Sequence, residues 1–208
     1  MAGVGAVHSV GESIVRYLSD AYQLQRQIEA GLPAEQRVLQ DCSFTQLSST
    51  ELANNFSPDG NQVTLYLYRV GIDKLLRTAA DSRTPGISRS RPLSLELHYL
   101  LTAWSRAVAT EQTMMTWAMR ELHAAPSLDR GRLVHASFWR PDETIQVSPS
   151  ELSHEDMMRI WDAVTPSYRL STSYVARVVR IENPVPPTAG PVVAHRFDIR
   201  EERSLVDG

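Results

Sequence analysis

The stretch from Arg91 to Trp104, Arg-Pro-Leu-Ser-Leu-Glu-Leu-His-Tyr-Leu-Leu-Thr-Ala-Trp, alternates apolar and polar side chains over most of its length. The odd-numbered positions from Leu93 to Leu101 are apolar, whereas the even-numbered positions are polar until Leu100. A period of two over this length predicts a strand with one face on a core. Because both faces are apolar beyond Leu100, we expect this strand to run from an exposed end into the middle of the sheet.

A second strand is predicted at Asn61–Val70, inside the sheet, because both of its sides are partly apolar. Strict alternation places Val63, Leu65, Leu67 and Arg69 on one side and Thr64, Tyr66, Tyr68 and Val70 on the other. A third long strand is predicted at Tyr168–Ile181, and shorter ones at Val38–Phe44, Leu133–Phe138 and Thr144–Val147.

Helices are predicted at Ser9–Gln27, Thr110–Ala124 and Ser153–Val164, each with an apolar stripe at helical spacing. Ser9 with Glu12 and Ser153 with Asp156 have the spacing of capping boxes. The order helix, strands, helix, strand, helix, strand predicts a mixed sheet of the α/β or α+β class, and we interpret it as an α/β fold, a mixed sheet with flanking helices. We expect one domain over residues 1–182 and an extended, proline-rich C-terminal extension over residues 183–208.

The composition is that of an ordinary soluble globular protein, with 208 residues, of which 42% are hydrophobic and 22% charged. A net charge of −3 argues against general nucleic-acid binding. No apolar segment approaches the length of a membrane-spanning helix, and the N-terminus does not resemble a signal peptide. Cys42 is the single cysteine, which excludes an intrachain disulfide and favours a reducing compartment.

The sequence contains no phosphate-binding glycine loop, no nucleophile elbow and no paired histidines at metal-ligand spacing. We therefore predict no catalytic residues, no cofactor and no metal, and we interpret Cys42 as a small core residue. Glu96 and His98 point to the same side of one predicted strand. A surface hydrogen-bonded pair is the favoured interpretation, and a small hydrolase that uses both residues is the alternative.

The most basic local patch is the predicted loop Asp81–Arg91, which carries Arg83, Arg89 and Arg91 around Thr84-Pro85-Gly86. It is either a solvated hairpin connection or an arm that docks onto an acidic neighbour. A segment from Val192 to Ile199 within the C-terminal extension can pair as an added strand. Its apolar members are Val192, Val193, Phe197 and Ile199.

Four segments together resemble a known family. They are Val-Thr-Leu-Tyr-Leu-Tyr-Arg-Val at 63–70, the stretch at 91–104, Ala-Met-Arg-Glu-Leu-His-Ala-Ala-Pro at 118–126, and Ile-Trp-Asp-Ala-Val-Thr-Pro-Ser-Tyr-Arg-Leu-Ser-Thr-Ser-Tyr-Val-Ala-Arg-Val-Val at 160–179. Their order and spacing are similar to those of the cap, or tail-terminator, proteins of extracellular contractile injection systems. These are phage tail-like particles of the Photorhabdus virulence cassette and antifeeding prophage type.

The resemblance implies a phage tail-terminator-like single domain that assembles as a homo-hexameric ring. In that family the ring lies on the last layers of the inner tube and the sheath and ends their polymerisation. The implied partners are the inner tube protein, the sheath protein and further copies of the chain, with no nucleic acid and no membrane. Assembly is expected in the cytoplasm, within a particle that can be released from the cell.

The arginines Arg83, Arg89 and Arg91 and the tail segment at Val192–Ile199 are our hypotheses for the docking elements. Two other classes of function stay open at this point. One is a cap adaptor, or an unrelated interaction module that remains monomeric. The other is the small hydrolase at Glu96 and His98.

Overall fold

The computed structural model describes residues 3–73 and 93–181. The helices are α1 (Ala6–Ala30), α2 (Ser49–Ala53), α3 (Val108–Ala124) and α4 (His154–Asp162). The strands are β1 (Ser43–Leu47), β2 (Gln62–Ile72), β3 (Leu93–Trp104), β4 (Ser127–Leu128), β5 (Ile145–Pro149) and β6 (Ser171–Ile181).

The described strands form one six-stranded sheet in the order β1-β2-β3-β6-β5-β4. β1 and β2 are parallel, and every other neighbouring pair is antiparallel. The alternating stretch that contains β3 therefore lies between two long strands, as its pattern predicts, and β2 is likewise an inner strand. The mixed sheet with flanking helices is confirmed.

Helices cover both faces of the sheet. α1 and α3 pack on one face over the larger apolar cluster, to which β3 contributes Leu97, Tyr99 and Leu101. α2 and α4 cover part of the other face over a smaller cluster that contains Leu100 and Trp104. The even-numbered residues of β3 thus become apolar at Leu100 because α2 and α4 begin to cover that face of the sheet there.

α1 begins earlier than the sequence predicts, and Ser9 does not cap it. The helix starts at Ala6, so Ser9 lies in its second turn and is buried. The Ser9 hydroxyl donates to the Val134 carbonyl over 2.6 Å and accepts from the Trp139 indole N–H over 2.9 Å. The predicted capping box is wrong because this serine is used for a long-range contact.

Two predicted strands differ from the structure. The strand predicted at Val38–Phe44 begins only at Ser43, because the N–H groups of Val38 and Leu39 both donate to the Glu29 carboxylate at the end of α1. The segment predicted as a strand at Leu133–Phe138 contains a short 3-10 turn at Ala136–Phe138 instead.

The start of α4 is predicted correctly from its local sequence pattern. The Ser153 hydroxyl accepts from the Asp156 N–H, so the predicted start of α4 is confirmed. A capping box at Ser48 and Glu51 opens the short α2, which the sequence analysis does not predict.

After Leu67, the odd-numbered and even-numbered residues of β2 change faces of the sheet, because the register with β3 shifts there. Leu67 pairs with Tyr99, but Arg69 pairs with His98 and Val70 with Leu97. Because directly paired residues share a face of the sheet, Arg69 lies on the α2/α4 face and Val70 on the α1/α3 face. The predicted sides of these two residues are therefore wrong, since strict alternation does not anticipate a bulge.

Candidate functional site

The sequence-predicted docking residues lie outside the described residues. They are Arg83, Arg89, Arg91, Val192, Val193, Phe197 and Ile199. Among the surfaces of the described residues are the polar face around Glu96 and His98 and two exposed apolar areas.

Glu96 and His98 share one face of β3, as predicted, but a third residue joins them. Arg177 of β6 donates from its Nε to Glu96 Oε1 over 3.0 Å, whereas His98 Nε2 lies 3.8 Å from Glu96 Oε2. Burial lowers the pKa of His98, the charges of Arg69 and Arg177 act in the same direction, and Glu96 opposes them. The carboxylate is thus held by a guanidinium across two strands, which is the arrangement of a structural brace.

Further polar contacts continue this brace along the same face. Tyr68 Oη and Ser173 Oγ are 3.0 Å apart, linking β2 to β6 across β3. Trp104 Nε1 donates to Thr64 Oγ1 over 2.8 Å, linking β3 to β2. These bonds fix the relative positions of the three long strands on the α2/α4 face, both under the helices and beyond them.

Cys42 is buried just before β1, and burial raises the pKa of its thiol to about 12. The prediction of a core residue is therefore confirmed. Within residues 3–73 and 93–181, no group of three or more histidine, cysteine or carboxylate side chains is arranged to hold a metal ion. In the same part of the chain, none of the helices combines the length and the apolar character that a membrane span requires.

The first exposed apolar area lies at the end of the β2–β3 hairpin. Val70, Ile72 and Leu93 are 52%, 58% and 48% exposed. They pair with Leu97, Leu95 and Ile181, respectively. These pairings place all of them on the α1/α3 face, so the strands extend past the helices that cover the rest of this face. We call Val70, Ile72, Leu93 and the half-buried Ile181 the hairpin patch.

The second exposed apolar area lies at the end of α1. Its residues Leu24 and Ile28 are 60% and 58% exposed, and Val38, which follows the helix, is 59% exposed. The N–H of Val38 donates to Glu29, which holds it against the last turns of the helix. We call Leu24, Ile28 and Val38 the α1-end surface.

A groove of about 410 Å³ opens beside the α1-end surface. Val38 lines it together with Gln25 and Glu29 of α1 and Thr116 and Arg120 of α3. The groove thus separates the last turns of α1 from α3 on the face that these two helices cover.

The two apolar areas lie at opposite ends of the sheet. The hairpin patch is at the end of β2, near Ile72, whereas Ser43, which follows the α1-end surface, pairs with Gln62 at the start of β2. Sequence reasoning missed both areas. Tyr17, Ala21, Leu24 and Ile28 share a stripe of α1, but only the structure shows that the first two pack on the core and the last two do not.

Comparisons with known proteins give one family. The sequence matches the family model described as the Pvc16 N-terminal domain over residues 21–195. No curated protein matches the chain significantly.

Two solved structures are similar to the chain. One is the sheath/tube terminator of an extracellular contractile injection system, PVC, in the extended state, with 22% identity and a TM-score of 0.49. The match covers 88% of this chain and 64% of that one. The other is the tube-terminating cap of the anti-feeding prophage, with 16% identity, a TM-score of 0.45, and coverage of 72% of this chain and 58% of that one. The matched region is therefore less than two thirds of the length of either protein.

Proposed function

Since this chain belongs to the Pvc16 N-terminal domain family, we propose that it is a structural cap of a contractile injection system. In this proposal six copies form a ring on the last layers of tube and sheath and end their polymerisation. The family match over residues 21–195 carries the proposal, because it includes most of the chain and all four segments that resemble cap proteins.

The physics of termination defines what the ring must do. A tube grows because each layer offers a face that is complementary to the opposite face of the next layer. A cap needs one face that matches the last layer and a far face that matches nothing. The braced sheet of this chain supports such a role, since a rigid scaffold keeps the two faces distinct.

The partners in this proposal are the inner tube protein, the sheath protein and other copies of the chain. Arg83, Arg89 and Arg91 supply positive charge for an acidic surface on one of these partners. The segment with Val192, Val193, Phe197 and Ile199 supplies a strand that can add to the edge of a partner's sheet. Assembly takes place in the cytoplasm, and the chain leaves the cell only as part of the particle.

The test compares particles assembled with and without this chain. We expect particles without it to have variable lengths and open far ends in electron micrographs, because nothing stops the addition of layers. Particles of uniform length with a sealed far end in the absence of the chain would overturn the proposal.

A triple variant tests the docking hypothesis separately. Replacing Arg83, Arg89 and Arg91 with glutamate should abolish capping while the far-UV circular dichroism spectrum is unchanged. The matched control replaces three exposed arginines elsewhere with glutamate and should cap normally. These control positions are Arg16, Arg106 and Arg130. Normal particle length with the triple variant would show that the arginines do not dock the cap.

A further inference from the structure

We propose that the outer edge of β1 accepts the Val192–Ile199 segment of a second copy as an additional strand. This inference rests on the proposed function in so far as that function brings several copies together. It goes further because it names the edge that accepts the strand and the copy that supplies it.

The backbone of β1 has groups that point away from the sheet. β1 is the last strand in the order and pairs with β2 alone. The N–H of Ser43 donates to the Asn61 carbonyl over 3.1 Å, which is the β2 side. Because successive residues of a strand direct their backbone groups to opposite edges, Phe44 and Gln46 direct theirs outward. In the part of the chain that the structure describes, no strand pairs with these groups, and such a row of donors and acceptors is a template for another strand.

A groove beside this edge gives the added strand room. It has a volume of about 500 Å³ and lies between α1, which contributes Ser19 and Gln23, and the start of β1, at Ser43 and Phe44. Phe44 packs edge-on against Tyr22 of α1, with 5.2 Å between the ring centroids, but remains half-buried. A further strand would complete the burial of Phe44, since side chains on one face of neighbouring strands lie in contact. The opposite edge strand, β4, has only two residues and is a shorter template.

The donor segment has the alternation that this position requires. In an extended strand, one side carries Val193, His195, Phe197 and Ile199. The other side carries Val192, Ala194, Arg196 and Asp198. The first side is mostly large and apolar and suits the α1/α3 face, where Phe44 lies. The second side holds both charged residues and suits the other face, where Ser43 is exposed.

The length of the spacer favours a second copy as the donor. The described chain ends at Ile181, which pairs with Leu93, whereas Phe44 pairs with Val63 and Val63 with Ala103. The path from Ile181 to a strand beyond β1 of the same chain is roughly 33 Å along the strands and roughly 19 Å across them, or about 38 Å. A proline-rich spacer rises about 3.1 Å per residue, so the steps from position 181 to position 192 span about 34 Å. The spacer is shorter than the path to its own β1 edge, which favours the edge of another copy.

Strand exchange of this kind can close a ring. Each copy donates one segment and accepts one at a different place, so the contact is head to tail, and it closes when the rotation between copies allows it. The main-chain hydrogen bonds of the added strand hold each contact, while the alternating side chains select the donor.

Cross-linking between two variants tests the contact. One copy carries Ser43→Cys, at an exposed residue of β1, and the other carries Arg196→Cys. With a bifunctional maleimide, the mixture should give a product of about 47 kDa that contains one copy of each. The buried Cys42 reacts slowly, because burial raises its pKa to about 12. The matched control is Ser127→Cys, exposed on β4, which should give no product with Arg196→Cys, and equal yields at the two edges would overturn the proposal.

A chain with both Ser43→Cys and Arg196→Cys separates exchange from pairing within one chain. Exchange gives a ladder of products, whereas internal pairing gives a product that keeps the 23.3 kDa of one chain. A product of unchanged mass alone, or no product either in solution or in assembled particles, would overturn the proposal. Failure of the proposed function is a different result, namely normal particles without the chain, and it leaves the cross-linking in solution unaffected.

Proline substitutions in the donor test the backbone hydrogen bonds. Ala194→Pro with Phe197→Pro removes an N–H from each edge of the segment, so it should abolish the cross-linked product. The amide hydrogens of Phe44 and Gln46 should then exchange with deuterium faster than in the wild type, because they lose their acceptors. Unchanged exchange at these two amides would contradict strand addition at β1.

The matched control places the same number of prolines in the spacer. Thr188→Pro with Ala189→Pro adds to the prolines already there and leaves the donor segment intact. This variant should keep both the cross-linked product and the slow exchange. Loss of both in the control would show that the prolines act through the spacer and would refute the assignment of Val192–Ile199 as the donor.

Discussion

At the scale of single residues, we expect His98 to make the stability of this protein depend on pH. Its side chain is 13% exposed, and burial, followed by the charge of Arg69, lowers its pKa in the folded state. The unfolded chain, with a histidine pKa of about 6.5, therefore binds more protons below that pH, and the folded state loses stability as the pH falls. We expect His98→Gln to flatten the decline in the free energy of unfolding between pH 7 and pH 5, measured by urea titration. The exposed His123→Gln is the control, and equal pH slopes in the two variants would contradict this role for His98.

Ser9 shows the limit of residue-level prediction. Ser9 and Glu12 have the same spacing as Ser48 and Glu51, yet only the second pair forms a capping box. The difference is decided by Trp139, which donates its indole N–H to the Ser9 hydroxyl from 130 positions away in the sequence. A pattern of four residues carries no information about such a contact, because the contact depends on the packing of the whole domain.

At the scale of secondary-structure elements, prediction succeeded where one local signal dominated. In β3, apolar and polar side chains alternate because one face of the strand packs on the larger cluster. At α3, Pro126 follows the helix closely enough to end it. Prediction failed at the β2 bulge. A register shift after Leu67 places Arg69 and Val70 each on the face of the sheet opposite to the one that strict alternation predicts. This shift creates the hairpin patch, so that surface could not be predicted from strict alternation.

α4 gives a prediction at the same scale. It has nine residues, too few for a stable helix in isolation, so its first-turn cap contributes a substantial share of its stability. Ser153→Ala should lower the free energy of unfolding by about 1 kcal/mol, because the Asp156 N–H loses its acceptor. Ser153→Asn keeps an acceptor at this position and should lie within a few tenths of a kcal/mol of the wild type. Equal losses in both variants, measured by chemical denaturation, would show that capping is not the cause.

At the scale of the whole molecule, composition and element order were sufficient to predict a single mixed sheet with flanking helices. The sequence did not reveal which apolar residues stay exposed, because exposure depends on where one element ends relative to its neighbours. Tyr17 and Leu24 lie on the same side of α1, yet Tyr17 packs on the larger cluster and Leu24 is 60% exposed. The two exposed apolar areas follow from this geometry and not from any motif.

The two apolar clusters should nevertheless unfold as one unit, because adjacent residues of β3 anchor both. Leu101 is buried in the larger cluster and Leu100 in the smaller one, so neither helical layer can separate without disturbing the central strand. We expect Leu100→Ala and Leu101→Ala each to cost about 2–5 kcal/mol and to shift a single transition. The tryptophans make this testable, since Trp104 and Trp161 lie in the smaller cluster and Trp117 and Trp139 in the larger one.

In both variants, tryptophan fluorescence and far-UV circular dichroism should give coincident urea midpoints, because each probe then follows the same cooperative loss of structure. If the α2/α4 layer were an independent unit, Leu100→Ala would produce an early fluorescence change from Trp104 and Trp161 before the dichroism changed. Such a step would mean that the layer opens while the rest of the sheet remains folded. A cap with a layer of that kind would not keep the faces of its ring rigid, so coincident midpoints are also what the proposed function requires.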